Sequence, residues 1–135
     1  MRDLAWASNR VLVADDDSVI RRLLVAAVVN EGFTPVEAAD GREAFRILQK
    51  DSDFKAAVLD WAMPYLNGID LVGYMATEKR LQRIPVMLIT ADESVSVMTK
   101  SFSAGAVAFL PKPFGPEQLQ GALRMLLATR NKIAA

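Results

Sequence analysis

Four short apolar runs in this 135-residue chain end on residues that carry a charge or a hydroxyl: VLVA meets Asp15, AAVL meets Asp60, VMLI meets Thr90 and AVAFLP meets Lys112. Carboxylates, an ammonium and an alcohol gathered at one place can bind a hard cation or present a nucleophile. Asp16 and Asp17 follow Asp15 directly, so several acids converge if the first and third runs are neighbouring strands. Like charges that close do not all stay ionised without a proton or a cation among them. With oxygen as the available ligand atom, magnesium fits best, since it keeps several waters and takes only one or two carboxylates. Asp17 stands just before a helical pattern, where aspartate caps the first turn, and that reading is preferred to metal binding for this residue.

Composition narrows the chemistry further. There is no histidine, which removes serine triads, zinc–imidazole sites and phosphohistidine from this chain, so any histidine chemistry comes from a partner. There is no cysteine either, which removes disulfides and thiolate sites and agrees with a reducing compartment. Sixteen basic residues balance sixteen acidic ones, so nothing in the net charge points to nucleic acid or an anionic membrane. No apolar run reaches membrane-spanning length, and the expected location is cytoplasmic. At 52% hydrophobic and 24% charged, the chain is expected to fold as one domain over residues 1–135, with its core at about 10–129.

The elements that must position these residues alternate. The pattern predicts strands at Val11–Ala14, Thr34–Ala38, Ala56–Leu59, Pro85–Ile89 and Val107–Leu110. Between and after them it predicts helices at Ser18–Glu31, Gly41–Lys50, Gly68–Arg80, Glu93–Ala104 and Pro116–Thr129, with Gly32 ending the first and Pro116 suiting the start of the last. Five strand–helix pairs in strict alternation make an α/β protein, a doubly wound five-stranded parallel sheet with helices on both faces. Strands one, three and four are apolar on both faces and read as central; TPVEA, with Pro35 and Glu37, reads as an edge. Ligands bind such sheets beyond the carboxyl ends of the strands, where the polar residues stand. On the fourth and fifth helices Val95, Met98, Phe102, Leu119, Leu123 and Leu126 fall at core spacing, and Gly121 and Met125 on an outer, uncharged stripe.

The segments VLVADDDSVIRRLL, AVLDWAMPYLNGIDLV, VMLITAD and AGAVAFLPKPF, in this order and spacing, resemble the receiver domain of bacterial response regulators from about Arg10 to Thr129. The resemblance implies a flavodoxin-like, three-layer α/β/α fold with strand order 2-1-3-4-5. It implies that Asp60 accepts a phosphoryl group from a phosphohistidine on a histidine kinase or histidine phosphotransfer protein. It implies that Asp16 and Asp60 bind magnesium directly, that the Ala62 carbonyl is a third ligand and that Asp15 acts through water. Lys112 then neutralises the phosphoryl oxygens, Thr90 donates its hydroxyl to them, and Phe109, which burial habits alone would place in the core, becomes an aromatic switch. A cis peptide between Lys112 and Pro113 is implied as well. Side chains at Ala62 and Asp92 are implied to govern attack of water on the phosphoaspartate; alanine cannot hydrogen-bond that water, so an intermediate or long phosphoryl lifetime is expected. Met63, Pro64 and Gly68 read as loop and turn chemistry with no catalytic role. Trp61 reads as a partly exposed ring able to report metal binding, with Trp6 as background.

The function expected is a switch and not a turnover enzyme, limited to self-phosphorylation from small donors and slow autodephosphorylation. Its output is a changed surface of helix 4, strand 5 and helix 5, offered to a downstream protein or to a second copy as a homodimer. Whether the receiver stands alone or comes from a longer regulator is not legible. Two other readings share the fold. A phosphorylation-independent interaction module is disfavoured because such proteins typically lose an acid or the lysine. A metal-dependent phosphohydrolase is disfavoured because it needs a second acid two residues past the nucleophile, where this chain has Ala62.

Overall fold

The computed structural model describes residues 8–129; Trp6 lies outside them. Five parallel strands, β1 (Arg10–Ala14), β2 (Thr34–Ala38), β3 (Ala56–Asp60), β4 (Val86–Thr90) and β5 (Ala108–Pro111), form one sheet in the order β2-β1-β3-β4-β5. Five helices alternate with them: α1 (Ser18–Asn30), α2 (Gly41–Lys50), α3 (Gly68–Thr77), α4 (Val95–Ala104) and α5 (Pro116–Ala128). This is the flavodoxin-like α/β/α order that the motifs imply. The reversal between β1 and β3 opens the crevice in which such sheets bind ligands.

Alternation along the strands builds two cores. Leu12, Ala57, Leu59, Val86 and Leu88 point to one face and pack with Leu48 of α2 and Leu71, Val72 and Met75 of α3. Val11, Val13, Ala56, Val58, Met87 and Ile89 point to the other and pack with Leu24 and Val28 of α1 and Leu119, Leu123 and Leu126 of α5. Burial on both faces is why β1, β3 and β4 read as continuous apolar runs, while β2, an edge with four of its five residues partly or fully exposed, tolerates Pro35 and Glu37.

Element ends differ from the sequence expectation by a few residues, for local reasons. Asp17 caps α1, its carboxylate accepting from Val19 N at 2.8 Å and Ile20 N at 3.2 Å. Gly32, at φ 85, then turns the chain out of the helix. α4 begins at Val95 and not at Glu93, because Ser94 is its cap and accepts from Val97 N at 3.2 Å. α3 stops at Thr77 and not at Arg80; residues 78–84 turn back to feed β4, with Leu81 buried and Arg80 donating to Leu48 O at 2.7 Å. One expectation about the core is overturned. Val95, Met98 and Phe102 of α4 are exposed, by 72, 36 and 46%, and the stripe that α4 turns inward carries Ser101, with Val97 and Ala104 partly buried. Leu119, Leu123 and Leu126 are buried as expected, and Met125 faces solvent.

Candidate functional site

The same alternation that builds the core aims the site. Asp15, Asp60 and Lys112 continue the parity of Val13, Val58 and Leu110, the face covered by α1 and α5, so all three converge at the carboxyl edge. Asp60 is the last residue of β3 and only 5% exposed; Asp15, one residue past β1, is fully buried, and Asp16 is exposed. One carboxylate oxygen from each of these acids lies within 4.8 Å of the others. Asp17 is not among them, its carboxylate being engaged at the helix cap.

Lys112 Nζ lies 3.2 Å from Asp60 Oδ1 and 3.3 Å from Asp15 Oδ2. Only the first has hydrogen-bond geometry. Asp15 Oδ2 is therefore a buried oxygen with a cation in ion-pair range and no donor aimed at it, whereas Oδ1 accepts from Asp17 N at 2.9 Å. Arg21 supports this acid from behind, donating to the Asp15 carbonyl at 2.6 Å and to Glu37 at 3.1 Å across to the edge strand. Burial, then the Asp15 charge, with Asp16 adding to it, pushes the Asp60 carboxyl up to about 6 against the opposing pull of Lys112. Burial works to lower the lysine, but the facing Asp60 and Asp15 charges outweigh it and hold the ammonium above its ordinary value.

Thr90 ends β4, 4% exposed; its Oγ1 accepts from Asp92 N at 3.0 Å and its carbonyl accepts from Lys112 N at 2.7 Å. The Asp92 carboxylate accepts from Ser94 N at 2.9 Å. The Lys112–Pro113 peptide is cis. Phe109 is half-buried on β5, its ring 6.5 Å from that of Phe102. Ala62 is exposed in the loop after β3, and its carbonyl accepts no hydrogen bond from another described residue. Trp61 is partly exposed beside it, its amide bonded to Ile89 O at 2.7 Å.

Two contributors had gone unassigned in the sequence. Gly68, which opens α3 as the turn signal implied, is there for a further reason: a Cβ on it would stand 2.4 Å from the Asp60 carbonyl, so only glycine lets α3 start against the strand end. Arg21 gave no signal, being one of two adjacent arginines on a helix.

These residues suit a divalent cation. An unpartnered buried carboxylate oxygen and three acids gathered in mutual repulsion form an all-oxygen donor set of the kind that magnesium takes. No helix among the described residues is long and apolar enough to cross a membrane.

Residues 11–124 match the family model described as response regulator receiver domain. The chain is similar to chemotaxis protein CheY1 of Helicobacter pylori, with 33% identity over 90% of this chain and 99% of that one. It is similar to response regulator MprA of Mycolicibacterium vanbaalenii, with 36% identity over 87% of this chain and 50% of that longer protein. Among solved structures, Vibrio cholerae chemotaxis protein CheY4 superposes with a TM-score of 0.80 at 30% identity, covering 89% of this chain and 99% of that one. With the sheet order, the acid pocket and these likenesses in agreement, the chain belongs to the response regulator receiver domains, the CheY-like switches of two-component signalling.

Proposed function

We propose that this receiver is switched by phosphorylation of Asp60. The observation that carries the reading is the environment of its carboxylate: nearly buried, raised by that burial and then by two neighbouring acids, yet held at 3.2 Å by the Lys112 ammonium. In the transfer, a carboxylate oxygen of Asp60 attacks the phosphorus of a phosphoimidazole on a partner histidine kinase or phosphotransfer protein. The new O–P bond replaces the N–P bond, and the imidazole leaves with its electron pair and takes up a proton. Such transfers are mostly positioning and charge neutralisation. Asp15, Asp16 and Asp60, with the Ala62 carbonyl, would hold magnesium, which when bound supplies positive charge to the phosphoryl oxygens.

Lys112 neutralises an oxygen on the opposite side, and its contact with both acids keeps it aimed at the reacting carboxylate before the phosphoryl group arrives. Thr90 gives its hydroxyl to the phosphoryl group by leaving the Asp92 amide, and Phe109 follows beneath Phe102. The output is the surface of α4, β5 and α5, where Val95, Met98, Phe102 and Met125 already face outward for a downstream protein or a second copy. Ala62, which cannot bind a water by its side chain, favours an intermediate or long phosphoryl lifetime.

The test is incubation with acetyl phosphate and magnesium, read by intact mass. One labile phosphate is expected, lost on addition of EDTA beforehand and absent in Asp60→Asn; a label that persists in Asp60→Asn overturns the assignment.

A further inference from the structure

The loop from Trp61 to Asn67 carries Ala62 along the acid pocket, and its middle is held in an unusual way. Tyr65 sits at φ 74, the one non-glycine with positive φ among the described residues. That left-handed region suits glycine, asparagine or aspartate, and a tyrosine there needs outside support. The support comes from the first turn of α2. Gly41 is pressed so close that a Cβ on it would fall 1.9 Å from the Leu66 carbonyl oxygen, and its amide reaches Pro64 O at a long 3.3 Å. These contacts flank Tyr65 on both sides. The next residue, Arg42, lays its guanidinium over the Tyr65 ring at 3.9 Å and forms no ion pair with a described acid.

We propose that the stack of Arg42 on Tyr65 is a clamp that positions the Trp61–Asn67 loop at the acid pocket, making Arg42 and Tyr65 positioning residues for divalent cation binding. Neither residue touches the acids. They act by holding a strained loop, three residues beyond Ala62, in the arrangement that follows Asp60. A cation over an aromatic face is a favourable contact even when exposed, and here it is applied where the backbone conformation resists. Tyr65 is 67% exposed, so the pair adds little to the core and its contribution is to loop geometry. The clamp rests on the magnesium reading above for its effect on affinity, but not for its effect on the loop.

Two measurements on the full chain separate those effects. The first is amide hydrogen exchange of residues 61–67 in EDTA, with a β1 peptide as internal control. The second is titration with magnesium chloride, read by Trp61 fluorescence in a Trp6→Phe background. Arg42→Ala and Tyr65→Ala are each expected to speed loop exchange and weaken magnesium by about two- to tenfold, leaving β1 unchanged. Arg42→Lys and Tyr65→Phe, which keep a cation over a ring, stay within about twofold on the same scale. The double alanine variant is no worse than either single, because one contact is lost in all three. Unchanged exchange in Arg42→Ala, or losses that add in the double variant, overturns the clamp. A wild-type protein that ignores magnesium overturns the metal reading alone, and the clamp then stands or falls on exchange.

Discussion

Lys112 Nζ stands 3.2 Å from Asp60 Oδ1, joining the end of β5 to the end of β3 across the intervening strand β4. The contact is possible because both residues share one parity in the sheet, while Thr90, on the strand between them, has the other. The lysine thereby faces the acids.

The proposed role of Lys112 is to neutralise charge on the incoming phosphoryl group, and its loss tests that role. Lys112→Ala is expected to slow phosphate uptake from acetyl phosphate about 100-fold, the usual scale for removing one preorganised cationic or hydrogen-bonding partner. Magnesium affinity is expected to hold or rise, because a competing cation has gone from beside Asp15 and Asp60. Uptake at the wild-type rate would sink this role, as would loss of magnesium binding together with uptake.

The acid pocket sets a pH window. The Asp60 carboxyl is raised to about 6 from 3.8, so the folded protein holds that proton more tightly than the unfolded chain does. Its stabilising contribution is complete below 3.8 and is lost as pH rises through about 6, at most about 3 kcal/mol from a shift of about 2 units. Asp51, lowered despite burial by its bonds to the Asp53 backbone and Arg10, acts only below 3.8. Lys112, raised, acts only above 10.5. In EDTA, therefore, thermal stability should fall between pH 4.5 and 7, and Asp60→Asn should flatten that slope and melt higher than wild type at pH 7. Magnesium should restore stability at pH 7.5 more than at pH 5, where the proton competes for Asp60. A wild-type melting point level across this range in EDTA counts against the pocket as drawn.

Glycines at two places give opposite outcomes for one substitution. Gly68→Ala forces a methyl against the Asp60 carbonyl and, at 2.8 Å, the Leu88 side chain, so about 1–3 kcal/mol of stability should be lost and phosphorylation impaired with it. Gly121→Ala, within α5 with nothing inside 4 Å of the new Cβ, should stabilise by about 0.5–1 kcal/mol through helix propensity alone. Urea denaturation of the two variants beside wild type decides both signs.

Much of the fold is legible in the sequence. Central strands announce themselves because both faces are buried, and their polar ends stand out against apolar runs such as AAVL before Asp60. Motif order then implied the chemistry of each end. Contacts between residues distant along the chain were not readable. Gly68 was visible as a turn, but the carbonyl it avoids belongs to a residue eight positions away in another element. The grip of Arg21 on the Asp15 carbonyl depends on a side-chain path that no spacing encodes. In α4, periodicity marks an apolar stripe without saying which side of the helix the sheet will take.

That helix supports the last prediction. The side of α4 turned to the protein is lined by Ser101, fully buried with its hydroxyl donating to Val97 O at 2.8 Å, while Val95, Met98 and Phe102 stand outside. A small inward residue lets the helix lie close with little apolar burial, so α4 is held less firmly than α5, whose Leu119, Leu123, Leu126 and Leu127 are all buried. Serine at Val95 or Met98 should each change stability by no more than about 0.5 kcal/mol, as for ordinary surface positions, and serine at Phe102, whose ring neighbours that of Phe109, should cost about 1 kcal/mol. Leu123→Ala should cost about 2–5 kcal/mol. If α4 is the output face, the same serine variants should accept phosphate normally yet lose phosphorylation-dependent binding or self-association, read by light scattering with and without acetyl phosphate. Large destabilisation by Val95→Ser or Phe102→Ser would return these residues to the core, where their helical spacing first placed them.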